Sequence, residues 1–95
     1  MAKHTICSIY DSATEAYMRP FIAQSKGQAV RMFTDLVKDP QTDIAKHPED
    51  YSLFEIGNFN DNTAEVTNNT PQCIVRAHEI TTNQYNETQK LKEVN

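Results

Sequence analysis

Three histidines, two cysteines and one adjacent pair of acids are the groups in this sequence that could do chemistry, and their spacing argues against it. His4, His47 and His78 form no pair of the H-x-x-x-H kind that would offer two imidazoles to one metal ion. Cys7 and Cys73 stand singly in apolar, strand-like runs. A thiol buried in such a run has a raised pKa and acts as packing, and the spacing fits neither a zinc site nor a disulfide framework. With only Gly27 and Gly57, the chain has no phosphate-cradling loop of the P-loop or dinucleotide type. Glu49 and Asp50 are neighbours whose side chains diverge, which suits turn formation better than acid–base work. The expectation is a protein with no catalytic residues, no metal and no cofactor, and so not an enzyme.

Binding is better served. Tyr17, Arg19 and Phe21 alternate and would share one face of a strand, and exposed aromatics beside Arg or Lys are how single-stranded nucleic acid is stacked and neutralised. Lys26 and Arg31 follow closely enough to contact phosphates from a helix start. The same residues at the same spacing also make an ordinary core face, so exposure decides between the two.

Charge limits the binding reading. Nine Lys and Arg against thirteen Asp and Glu give a net charge of -4, the wrong sign for a protein that coats nucleic acid electrostatically. Any nucleic-acid role must use a local patch gathered by folding. No apolar stretch approaches the roughly 20 residues of a membrane span, and the N-terminus leads straight into a strand pattern without a signal-peptide core. A cytosolic protein without membrane contact is expected.

The elements that must position these residues can be read in order. Thr5 to Tyr10 is a strand apolar on both faces, ended by Asp11-Ser12. Ala16 to Ala23 reads as a second strand, confined to an edge or a bulge because Pro20 has no N–H for the ladder. Ser25-Lys26-Gly27-Gln28 is a capping box, and Ala29, Val30, Phe33, Leu36 and Val37 form the apolar stripe of the helix that follows. Arg31 and Asp35 lie on its wet side, spaced to pair weakly.

Asp39-Pro40 stops that helix, and Asp43 is placed to cap a single turn through Lys46. Tyr51 to Phe59 is a strand, joined through Asn60-Asp61-Asn62 to a partner over Thr63–Thr67. Asn68 to Pro71 reads as a loop, Cys73 to Ile80 as a fifth strand, and the residues beyond as a polar stretch, helical or disordered. The fold class is α+β: a small antiparallel sheet of four to five strands with one main helix on one face, in the order β-β-α-β-β-β. Residues 1–82 make one domain and 83–95 a polar tail.

One segment is more specific than pattern. His47-Pro48-Glu49-Asp50-Tyr51-Ser52-Leu53-Phe54-Glu55-Ile56-Gly57-Asn58-Phe59-Asn60-Asp61 resembles the signature stretch of the small nonstructural, or DNA-binding and DNA-replication, protein of gokushovirus-type microviruses. Tyr10-Asp11, Pro20-Phe21, the series Gly27, Ala29, Arg31, Phe33, and Asp39-Pro40 fit the same pattern, so the likeness covers roughly residues 5 to 75. It implies a phage protein made in the host bacterial cytoplasm and absent from the mature virion, which binds DNA and assists single-stranded genome synthesis or packaging. It carries over no established functional residues. Within the segment, Pro48 restricts the approach to the strand, and Tyr51, Leu53 and Glu55 face one side while Phe54 and Ile56 face the other.

The alternative to DNA binding is a protein–protein adaptor or homodimer that engages viral replication or procapsid proteins through an exposed strand edge, which the acidic charge suits better.

Overall fold

A computed structural model of the chain describes residues 3–82. The predicted tail, 83–95, lies outside the described residues. Strand β1 (Lys3–Asp11) alternates, with Thr5, Cys7 and Ile9 buried on one side. It runs antiparallel to β2 (Ala16–Tyr17) and β3 (Phe21–Ala23) on one flank and to β4 (Tyr51–Asn60) on the other. Beyond β4 lies β5 (Val66–Arg76), so the sheet has five strands, with β2 and β3 sharing one edge and β5 forming the other. The expected α+β class and antiparallel sheet are present.

Helix α1 (Lys26–Lys38) starts and stops where the sequence indicates. Ser25 Oγ accepts the Gln28 N–H at 3.1 Å, the first half of the capping box, while Gln28 Oε1 accepts the N–H of Gln24 at 2.6 Å, one residue before the cap residue that a full box would engage. Ala29, Phe33 and Val37 are buried, Val30 is half-buried, and Leu36 at the rim of the stripe is exposed. Asp39, ahead of Pro40, is the C-cap. Arg31 and Asp35 both point to solvent and make no ion pair among the described residues. The short helix α2 (Asp43–Lys46) is capped by Thr42, whose Oγ1 accepts the Ala45 N–H, so the cap falls one residue before Asp43. A 3₁₀ turn (Pro48–Asp50) then leads into β4.

Four expectations need correction. The second strand is broken at Met18-Arg19-Pro20, because Pro20 cannot donate to β1. The hairpin partner begins at Val66, since Thr63, Ala64 and Glu65 belong to the turn, with Ala64 at φ 66°. Asn68 to Pro71 stays within β5: the register passes from Gln72 opposite Glu55 to Asn68 opposite Gly57, so Asn69, Thr70 and Pro71 bulge against the single residue Ile56. Finally, the run after Arg76 is helical over 77–82 (α3), where Glu79 Oε1 accepts the Arg76 N–H at 2.9 Å in the way a capping-box acid does. Ala77 and Ile80, expected on a strand, are buried from this helix.

All three helices pack on one side. Ala29, Phe33 and Val37 of α1, Ile44 of α2, and Ala77 and Ile80 of α3 form a single core with Cys7, Ile9, Ala23 and Leu53 of the sheet. No described helix packs over the opposite side, and that open face carries the candidate site.

Candidate nucleic-acid interface

The open face is defined by register. Residues opposite each other in a ladder project to the same side, so Ile6 with Ile22, Ser8 with Phe54 and Cys73, and Tyr10 with Tyr17, Ser52 and Arg76 all lie away from the helices. Tyr10 and Tyr17 have ring centroids 4.8 Å apart, and Phe54 meets both edge-on, at 6.1 and 5.5 Å. The three form an aromatic platform on a bare sheet, with Tyr17 46% and Ile22 53% exposed.

Two hollows flank the platform. The larger, of about 510 Å³, has Ser8 and Ile56 as its floor, Tyr17, Met18 and Pro20 on one wall and Asn68, Asn69 and Pro71 on the other. The smaller, of about 300 Å³, lies between Tyr10, Phe54, Cys73 and Arg76 on one side and Glu49 and Asp50 on the other. Ser8 is almost fully buried, but its Oγ donates to the Met18 carbonyl at 2.6 Å, which ties the strand interruption to the sheet.

Of the residues picked out from the sequence, the structure separates what alternation had grouped. Tyr10 faces Tyr17 and Cys7 faces Phe21, so three steps along β1 correspond to four along the β2–β3 chain. The extra residue reverses the side: Tyr17 is on the open face and Phe21 packs against the helix-covered core. Arg19 is exposed at the interruption, between two residues that line the larger hollow. Lys26 sits on the helix side, 3.5 Å from Glu55, and Arg31 lies on the outer surface of α1. Tyr17 and Arg19 therefore adjoin one face, while Phe21, Lys26 and Arg31 belong to the other side.

The signature segment divides in the same way. His47, Pro48, Glu49 and Asp50 build the turn into β4, with His47 Nδ1 and Glu49 Oε2 3.9 Å apart. Possible ligand atoms of His47, Glu49 and Asp50 lie within 4.8 Å of one another, on residues that are exposed or half-buried. The Asp50 carbonyl accepts the Ser12 N–H at 2.9 Å, pinning the β1–β2 turn, so this cluster has a structural task. Tyr51 faces the helix side opposite Asp11, and its phenol pKa is raised, first by desolvation and then by the nearby Asp11 and Asp43 carboxylates. Gly57 is required by close approach: a Cβ there would lie 2.5 Å from the Thr67 carbonyl oxygen of β5.

The cysteines differ. Burial pushes the Cys7 thiol up to about 11, with the Glu55 carboxylate adding to the effect and Lys26 opposing it, so at neutral pH it is an inert part of the core. Cys73 is exposed on β5 beside the platform.

Tyr10 and Arg76 are candidate site residues that sequence reasoning does not single out, and Phe54, singled out only within the signature segment, joins them on the same face. Tyr10 and Tyr17 flank a short polar turn, and that spacing alone could have suggested facing positions in a hairpin. Phe54 was placed on the face away from Leu53 but was not connected to the tyrosines, because the β1–β4 pairing spans forty-odd residues of chain. Arg76 carries no local signal.

No curated protein and no solved structure matches the chain. The Phage ORF5 protein family matches residues 4–80, from the first strand through most of α3. Because that match takes in every strand of the sheet and the helices over its covered face, the chain belongs to the Phage ORF5 protein family.

Proposed function

We propose that this phage protein binds single-stranded DNA across the open face of its sheet and catalyses no reaction. The observation that carries the reading is the platform of Tyr10, Tyr17 and Phe54 on a face that no described helix covers. Bases stack on such rings irrespective of sequence, each contributing about 1–3 kcal/mol. Arg19 and Arg76 adjoin the same face and make no ion pair among the described residues, which leaves two guanidinium groups for phosphates. The likeness of His47 to Asp61 to the microvirus signature supports the biological setting: a nonstructural protein of gokushovirus-type phages, acting in the host bacterial cytoplasm, absent from the virion, and assisting single-stranded genome replication or packaging.

Net acidity and two cations predict binding that leans on stacking. Fluorescence anisotropy with a labelled oligonucleotide should give log K falling with log salt at a slope of only about -1.4, from ~0.7 per phosphate contacted on a single strand. Tyr17→Ala and Arg19→Ala should each weaken binding about tenfold, and Arg31→Ala should not. No binding at low salt, or equal loss from Arg31→Ala, would sink the reading.

A second reading rests on a different observation. β5 is an eleven-residue edge strand, mostly exposed and with one side of its backbone unpaired among the described residues, and could add a strand from a viral replication or procapsid protein or from a second copy of the chain. Recovery of such partners after nuclease treatment of infected cells would favour it.

A further inference from the structure

We infer that the larger hollow on the open face is a pocket for a single nucleobase whose edge is read, so that binding discriminates between bases; this rests on the reading of the face as a single-strand DNA surface. Its shape comes from two irregularities that a plain sheet would lack. On one wall, the break at Met18-Arg19-Pro20 lifts the chain off β1, held by the Met18 N–H on the Ile9 carbonyl at 2.7 Å and by Ser8 Oγ on the Met18 carbonyl. On the other, Asn69, Thr70 and Pro71 bulge out opposite Ile56. Between the walls the floor is two strands wide, so the outer strands stand about 14 Å apart at ~4.8 Å per strand spacing. That gap admits one base ring system with side chains on either side.

The lining has the composition such an occupant needs. Met18, Pro20, Ile56 and Pro71 supply apolar contact for ring faces, and Tyr17 joins the pocket to the stacking platform. Asn68 and Asn69 are the lining residues that carry both donor and acceptor on one planar group, the pairing by which a base edge is recognised, and neither amide is engaged in a hydrogen bond among the described residues. No carboxylate lines the hollow among the described residues, although the chain as a whole is acidic, and Arg19 stands between two of its lining residues. A negatively charged strand therefore meets one cation and no carboxylate of the described lining, and the planar Asn amides favour a base over an acidic peptide.

The test uses the full chain and short homopolymers of dA, dC and dT at low salt, followed by anisotropy. The tightest and weakest should differ by about tenfold or more, the ratio that one edge contact of ~1.4 kcal/mol provides. In the double variant Asn68→Ala/Asn69→Ala, both exposed or half-buried positions, the ratio should fall to within about twofold while the weakest homopolymer binds as before. An iodouracil-containing oligonucleotide should crosslink to Tyr17 or Met18. Equal affinities for all three homopolymers, an unchanged ratio in the double variant, or crosslinks confined to Tyr10 and Phe54 would each overturn the pocket while leaving DNA binding by the face intact. Absence of any binding would remove both.

Discussion

The face of the sheet under the helices carries Thr5, Cys7, Ile9 and Leu53, all buried, whereas the opposite face carries Ile6, Tyr10, Ile22 and Phe54, none of them fully buried. Both faces carry large apolar side chains. Residue type thus does not say which side is the core; the helices do, by supplying Phe33, Val37, Ile44 and Ile80 to one side only. Contiguous exposed apolar surface costs solubility, which makes the face without a described helix the one to test for binding.

That contrast can be broken most sharply by truncating one aromatic from each side. Phe33→Ala, at a site with no exposure, should cost about 3–5 kcal/mol in urea denaturation, enough to leave little of the native state in a domain of this size. Tyr17→Ala should cost under about 1 kcal/mol in the same experiment, because its ring is half in water already, and should show its effect in DNA affinity. If the two variants lost similar stability, the distinction between faces would be wrong.

Gly57→Ala tests a place where the open face has no room. The added methyl would press on the Thr67 carbonyl, which as backbone of a paired strand cannot turn aside, and a loss of about 1–3 kcal/mol is expected. An unchanged denaturation midpoint would mean that β5 can shift away from β4 at that point.

The thiols separate the faces chemically. At neutral pH a thiol reagent should modify Cys73 at once and Cys7 only as fast as the protein unfolds. Because the folded pKa of Cys7 is raised from 9.0 to about 11, its contribution to stability is complete below pH 9 and is lost as pH rises through 11. Denaturation midpoints should therefore fall over that alkaline window, and less steeply in Cys7→Ala. The smallest expected effect is at the hairpin tip. Ala64→Gly should raise stability by roughly 0.5 kcal/mol, since the left-handed backbone there penalises a Cβ by more than glycine's extra freedom favours the unfolded state.

Much of the covered side was legible in the sequence because its signals are local. The Ser25 to Gln28 cap, the stripe through Ala29, Phe33 and Val37, and the Asp39-Pro40 stop each lie within a few residues, and each appears where it was read. The strand from Tyr51 to Phe59 showed its two faces for the same reason. The open side depends on counts of residues between distant partners. Alternation placed Tyr17 and Phe21 together, and only the pairing with Tyr10 and Cys7 reveals the extra residue between them. Asn69 to Pro71 has loop composition, yet flanking ladder bonds to β4 hold it inside a strand. Cys73 to Ile80 is apolar enough for a strand, and what turns it helical at Ala77 is Glu79 reaching back to Arg76, together with a place in the core for Ala77 and Ile80.

The interruption before Pro20 also bears on how this lineage of sequences can change. Deleting one residue from Met18-Arg19-Pro20 would send Ile22 inward and Phe21 outward, a swap of one apolar side chain for another that hydrophobicity alone does little to oppose. What resists the swap is the next pair, because buried Ala23 would give way to Gln24 beneath the helices. A small side chain of little apparent interest thus guards the reading frame of the sheet edge, and insertions or deletions at that edge should be found only together with a change at Ala23 or Gln24.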